Sequence, residues 1–136
     1  MNQPTNEHRD LEVLDDEECW RLLASVDVAR VGFRVADRVD VLPVNHTVLG
    51  RVVAWQSAAG AKLGVAAAEG EVALEADELK FGTGWSVVLR GTARIVVDRD
   101  LVARLERVET VPWSAPDQRT VWIQILDPEL TGRRLR

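Results

Sequence analysis

Residues 52–63, VVAWQSAAGAKL, gather residue types that can hold a phosphate: Gln56 and Ser57 carry hydrogen-bonding side chains, Gly60 sits among alanines, and Lys62 opens a short helix. A helix N-terminus presents unpaired N–H groups and a partial positive charge, so a lysine in its first turn is unfavourable unless an anion lies beside it. Small residues at 58–61 leave room for a ligand to approach the backbone. From these residues alone the junction is either a seat for a phosphate-bearing ligand or a tight turn next to a solvated lysine.

Other chemistries lack their residues. Lys62 does not follow a glycine, so there is no nucleotide P-loop. Gly82 and Gly84 precede a strand, with Val87 where a third glycine would stand, which fails the dinucleotide fingerprint. Gly84-Trp85-Ser86 has no second glycine after the serine and no histidine near it, so a hydrolase elbow is unsupported. His8, His46 and Cys19 have no zinc-ligand spacing, and no metal site is expected. Cys19 alone makes no disulfide framework, in keeping with a reducing compartment.

Charge narrows the partners. The net charge of -5 comes mainly from residues 1–18, where seven acids face Arg9 alone, leaving 16 basic against 15 acidic residues in the body. That balance offers no broad basic face, so nucleic acid is not an expected partner. No run approaches the ~18 apolar residues of a membrane span, and the acidic start is unlike a signal peptide. A cytoplasmic location without membrane contact is expected.

The elements that must position these residues follow from periodicity. With 46% hydrophobic residues in a chain of 136, one domain with a real core is expected over 11–136, after a polar, acidic tail at 1–10. Asp15 and Glu18 have capping-box spacing, Leu14 and Cys19 that of a hydrophobic staple, and Trp20, Leu22, Leu23 and Val26 an apolar stripe, predicting a first helix in which Cys19 packs. From Val28 the period becomes two, predicting a hairpin whose second strand ends at LPVNH (42–46). A third strand is predicted over Val52–Ser57, a helix over Ala61–Glu69 closed by Gly70, and a fourth strand over Glu71–Asp77. The fifth, Trp85–Val97, is long enough to bend, with Gly91 the natural place. A third helix is predicted over Asp98–Glu109 and a sixth strand over Thr120–Leu126. The sum is a mainly β (α+β) fold: a six-stranded, mostly antiparallel barrel with three short flanking helices.

Three segments then stand out in order: LPVNH at 42–46, the junction at 52–63 and GTGWSVVLRG at 82–91. With Glu18-Cys19-Trp20, Arg30-Val31-Gly32-Phe33, Trp113 and Gly132-Arg133-Arg134, the chain resembles the flavin-binding split-barrel proteins related to pyridoxamine 5'-phosphate oxidase, in their small single-domain branch. The resemblance spans most of residues 12–135. It implies a homodimer with FMN in a groove between subunits. By that match Lys62, Ser57 and Gln56 lie at the phosphate, Pro43, Val44 and Asn45 line the flavin ring, and Trp85 and Ser86 approach it from a neighbouring strand. Trp113 and Arg133 are positioned to reach the partner's site. The plainer readings are that Asn45 ends a strand, Trp85 is a core or interface aromatic, and Arg133 is solvated.

Two residues depart from the pattern. Gln56 stands where relatives commonly carry an arginine, which removes a charge and a bidentate phosphate donor. His46 replaces a frequent aromatic and faces either flavin or water. The resemblance therefore implies a flavin-dependent oxidoreductase acting on an unknown small molecule, with deazaflavin as an alternative cofactor. A second reading is a non-enzymatic, cofactor-free dimeric binding protein on the same fold. No catalytic residue is named, because the flavin would carry the chemistry.

Overall fold

A computed structural model describes residues 11–58, 70–108 and 120–136. The chain begins with strand β1 (Leu11–Leu14) and helix α1 (Asp16–Ala24), then runs through β2 (Val28–Val35), β3 (Arg38–Leu49) and β4 (Val52–Ala58). After the segment at 59–69 come β5 (Glu71–Lys80), β6 (Thr83–Ile95), α2 (Arg99–Glu106) and finally β7 (Thr120–Leu135).

All seven strands form one antiparallel sheet in the order β1-β7-β4-β3-β2-β5-β6, and β6 returns to pair with β7. Six strands thus close a ring, with β1 attached to the far end of β7. Closure leaves the ring without free edges. Among the described residues the strand count expected as six is corrected to seven. β1 is only four residues, LEVL, and its pairing is remote, Leu11 with Leu135 and Leu14 with Gly132, so nothing local marks it. Two helices stand among the described residues against three expected. The one expected over Ala61–Glu69 falls outside them, as does the tail at 1–10.

β7 is more than twice its expected length, running on from Leu126 to Leu135. Asp127-Pro128 reads as a turn because proline lacks a donor and Asp127 takes φ 52. Within the sheet these residues instead make a bulge: Arg90 pairs with Glu129 and Thr92 with Leu126, so β7 carries one extra residue. Gly91 lies opposite, where a Cβ would fall 2.5 Å from Leu126 O and 2.5 Å from Ile125 Cγ2. The bend expected at Gly91 is therefore matched by an irregularity at that point.

Alternation builds the interior. Ala29, Val31 and Phe33 from β2, Val53 and Trp55 from β4, Val72, Leu74 and Ala76 from β5, Val87 and Leu89 from β6 and Ile123 from β7 fill the barrel. Burying each large apolar side chain contributes roughly 1.5–3 kcal/mol. α1 closes one end with Cys19, Trp20, Leu22 and Leu23. Its N-cap forms as expected, Asp15 Oδ1 accepting from Glu18 N at 2.9 Å. The reciprocal half of the capping box does not form, because the Glu18 carboxylate accepts from Arg21 and from Arg134 on β7, the latter at 2.6 Å. α2, capped by Asp98, lays Leu105 over Ala54, Val96 and Trp122 on the outside of the barrel.

Candidate functional site

A strand sends consecutive side chains to opposite faces. The segments singled out from sequence are therefore divided by the barrel wall. Val44 and Trp85, 5% and 8% exposed, belong to the interior core, and Ser57 follows Val53 and Trp55 on the same inner face. Pro43, Asn45, Gln56 and Ser86 point outward, in the alternate positions. Lys62 and Trp113 lie outside the described residues.

On the outer face the first group is contiguous. Gln56 pairs with Trp122, and Asn45 lies one residue beyond the His46–Trp55 pair, next to Gln56. Thr47 pairs with Ala54 on the same surface. Asn45 Nδ2 donates to Asp27 O at 3.4 Å, and Gln56 Nε2 to Thr120 Oγ1 at 3.3 Å, both long contacts. Three other atoms here are buried and have no hydrogen-bond partner among the described residues: Asn45 Oδ1, Thr47 Oγ1 and Trp122 Nε1. Leaving such a group unpaired costs about 1–3 kcal/mol. Trp122 and Ala54, the partner of Thr47, lie beneath α2 with Leu105, so those two atoms are enclosed by the chain's own packing, and only Asn45 adjoins Pro43 on the uncovered part of this face.

His46 faces inward, and so has no part in that surface. It is 4% exposed, and its Nε2 donates to Leu23 O at 2.7 Å at the end of α1. Burial holds the imidazole below its ordinary pKa, with the Leu23 carbonyl opposing. This histidine ties α1 to β3.

Ser86 lies on the outer face but three strands from Pro43, a span of ~14 Å at the usual strand spacing. Between them the register sets a charged cluster that sequence reading missed. Pro43 pairs with Arg30, Arg30 with Glu75, and Asp77 with Ser86. Arg30 Nη1 lies 3.3 Å from Glu75 Oε1 and 3.6 Å from Asp77 Oδ2. Glu75 is pushed up to about 7, first by burial and then by its hydrogen bond and charge contact with Asp77, while Arg30 opposes the shift. The signal was present: Val72, Leu74 and Ala76 fill the inner face of β5, which sends Glu75 and Asp77 outward together. What was missing was the partner strand. At the start of β6, just before Ser86, a cavity of about 310 Å³ is lined by Lys80, Thr83, Trp85, Arg134 and Arg136 with Glu78. Its arginines are engaged, Arg134 by Glu18 and Arg136 by Glu12, each at 2.6 Å.

A family description of pyridoxamine 5'-phosphate oxidase matches residues 15–134. The chain belongs to this family. Among solved relatives, the FAD-binding protein of Mycobacterium smegmatis is 38% identical with a TM-score of 0.82, over 92% of this chain and 100% of that one. A protein of unknown function from Corynebacterium diphtheriae is 26% identical with a TM-score of 0.78, over 93% of this chain and 99% of that one. A Mycobacterium tuberculosis protein of uncharacterised role is 40% identical over 135 residues, 93% of this chain and 87% of its own. The split-barrel fold expected from sequence is thus the fold of the family. Among the described residues no helix is long and apolar enough to cross a membrane.

Proposed function

We propose that this family member is a homodimeric flavin-binding protein that works as a flavin-dependent oxidoreductase on a small molecule. The observation that carries the reading is the outward run of Pro43 and Asn45 on β3 beside Gln56 on β4, with Asn45 Oδ1 lacking a partner among the described residues and Val28, Val39 and Val41 exposed around it. A flavin ring has an N–H that fits the Asn45 acceptor and a flat apolar face that fits Pro43 and the exposed valines. The 38% identical neighbour that binds FAD supports the same cofactor class. FMN and FAD share the ring and the first phosphate, so both are candidates, and deazaflavin remains an alternative.

When bound, the flavin supplies hydride or electron transfer. The chain's own residues hold and shield it. Asn45 accepts from a ring N–H, and Pro43 gives an apolar, donor-free stretch for the ring to lie against. Lys62 and Gln56 hold the phosphate. A second copy completes the groove: Val28, Val39 and Val41 are 40%, 68% and 61% exposed around Pro43 on the outer face, a strip suited to covering by another subunit. Nothing in the arrangement selects pyridoxine phosphate, because kinship of fold does not carry substrate identity.

Gln56 favours the second reading, a flavin-poor interaction protein, because its amide is turned to Thr120 and carries no charge. Titration with FMN, FAD and a deazaflavin, followed by flavin fluorescence and visible absorption, decides between them. Saturable binding of one cofactor, weakened in Lys62→Ala, supports the flavoprotein. Gln56→Arg restores a charge-assisted hydrogen bond worth ~1.5–3 kcal/mol, which raises affinity about ten- to a hundredfold. Absence of binding in both the parent and Gln56→Arg supports the interaction protein.

A further inference from the structure

We propose, building on the flavin-binding reading, that the carboxyl group of Glu75, paired with Asp77 and bridged by Arg30, is a proton-holding element of the cofactor groove and that flavin binding takes up a proton there. The register carries the argument. Arg30 and Glu75 occupy the same rung as Pro43, and Asp77 the same rung as Ser86. The cluster therefore forms the floor between the two segments that approach the cofactor. Any planar ligand reaching from Pro43 to Ser86 must pass over it.

Charge bookkeeping at this floor then explains the proton. With both carboxyls ionised, the three groups total one negative charge. With one proton shared between them, Arg30 neutralises the remainder. The other groups around them are apolar or neutral: Val41 and Pro43 on β3, Val28 and Gly32 on β2, Ala73 on β5, and Val88 and Ser86 on β6. Further charges on this face stand off. Arg90 lies one outward position along β6 from Val88, Arg133 pairs with Ser86 from β7, and Arg34 and Glu71 lie towards the opposite ends of β2 and β5. Covering the cluster with an aromatic ring removes water and penalises its charged form, so the neutral, singly protonated state is favoured. In that state one carboxyl O–H can turn to a ring acceptor, while Arg30 keeps the other carboxylate in place. Burial and the neighbouring Asp77 already push Glu75 up to about 7. Proton uptake is consequently largest just above that pH.

Calorimetry of the full-length protein with FMN at pH 8, in two buffers of different ionisation enthalpy, reads the proton number directly. Between about half a proton and one proton is expected to enter per flavin bound, and the dissociation constant is expected to rise about ten- to a hundredfold between pH 7 and pH 9. In Glu75→Gln, which keeps a donor but cannot ionise, proton uptake falls near zero and affinity becomes flat with pH. Asp77→Asn, observed by carbon NMR of labelled glutamate, should move the Glu75 titration to lower pH, which serves if Glu75→Gln does not fold. FMN binding with no proton uptake, or an unchanged pH slope in Glu75→Gln, overturns the assignment and leaves the flavin reading standing. Proton uptake that follows protein association upon concentration, with flavin absent, overturns it in favour of an interface role. No FMN or FAD binding at any pH overturns both.

Discussion

Gly132→Ala tests how tightly α1 is seated on the barrel. Gly132 faces inward on β7, opposite Val87 on β6 and Leu14 on β1. A Cβ there would lie 2.5 Å from Cys19 Sγ, 3.3 Å from Val87 Cγ2 and 3.4 Å from Leu14 Cδ1. The last two are close to ordinary contact, so the sulfur sets the penalty. Cys19 is completely buried on α1, and restoring a normal separation requires the helix to retreat by ~1 Å, against the steep repulsive wall of close packing. That helix is tied by His46 to Leu23 and by Arg134 to Glu18, so the retreat is resisted. Overpacking of this kind costs about 1–3 kcal/mol. At ~2.1 cal/mol/K per residue the unfolding entropy of a chain this size is roughly 0.3 kcal/mol/K, which gives a Tm lowered by about 3–10 °C. Cys19→Ala removes the obstructing atom. Combined with Gly132→Ala it exchanges a sulfur for a methyl across one gap, so the double variant should be more stable than the sum of the singles by at least ~1 kcal/mol. Urea and thermal denaturation by circular dichroism measure the whole cycle, and flavin affinity should stay unchanged because the position faces away from the groove. A Tm within a degree of the parent for Gly132→Ala, or strict additivity in the cycle, would refute the claim that Cys19 is the wall.

Two pH responses follow from the helix ties. His46 has a folded pKa below its ordinary value, so its contribution to stability is complete above about pH 6.5 and is lost as pH falls below that. His46→Gln, which can keep a donor towards Leu23 O, should therefore flatten that part of the Tm profile between pH 7 and pH 5; an unchanged slope would show that another group titrates. Glu18 is held down at about 2, first by the hydrogen bond from Arg21 and then by that from Arg134. Its contribution is present above pH ~4.5 and is lost as pH falls towards 2. Glu18→Gln should raise the pH of the acid-unfolding midpoint, read by tryptophan fluorescence, and no shift would mean that the pairs with Arg21 and Arg134 contribute nothing measurable.

The strands were legible wherever apolar and polar residues alternate, as in β2 and β5, and the start of α1 was legible in Asp15. Two kinds of information were not. Pairing partners far apart in sequence leave no local mark, which is why LEVL at 11–14 and the run of β7 beyond Pro128 were missed, and why Arg30, Glu75 and Asp77 were not seen as one cluster. A motif written as consecutive residues also hides the wall between them. Pro43-Val44-Asn45, Gln56-Ser57 and Trp85-Ser86 each read as one contribution to a site, yet alternation sends Val44, Ser57 and Trp85 into the interior. What these three residues do is hold their strands in the core, which leaves their neighbours Pro43, Asn45, Gln56 and Ser86 on the outer face.

That division follows from the size of the barrel. A ring of six strands has an interior just wide enough for its own side chains, and here Trp55, Leu74, Val87, Leu89 and Ile123 occupy it with essentially no exposure. No room remains inside for a tricyclic ring. A ligand of that size must be held on the outer wall, where a strand offers only every second residue and the far side of the ligand faces water. Two consequences follow from that geometry. The groove needs a cover, which the exposed valines beside Pro43 invite a second copy to provide. The polar groups beneath that cover must also be neutral or paired, since each unpaired charge would be desolvated when the cover closes. On the proposed flavin reading, Arg30 with one proton shared by Glu75 and Asp77 would meet that requirement, and the uncharged Gln56 would lessen the same burden.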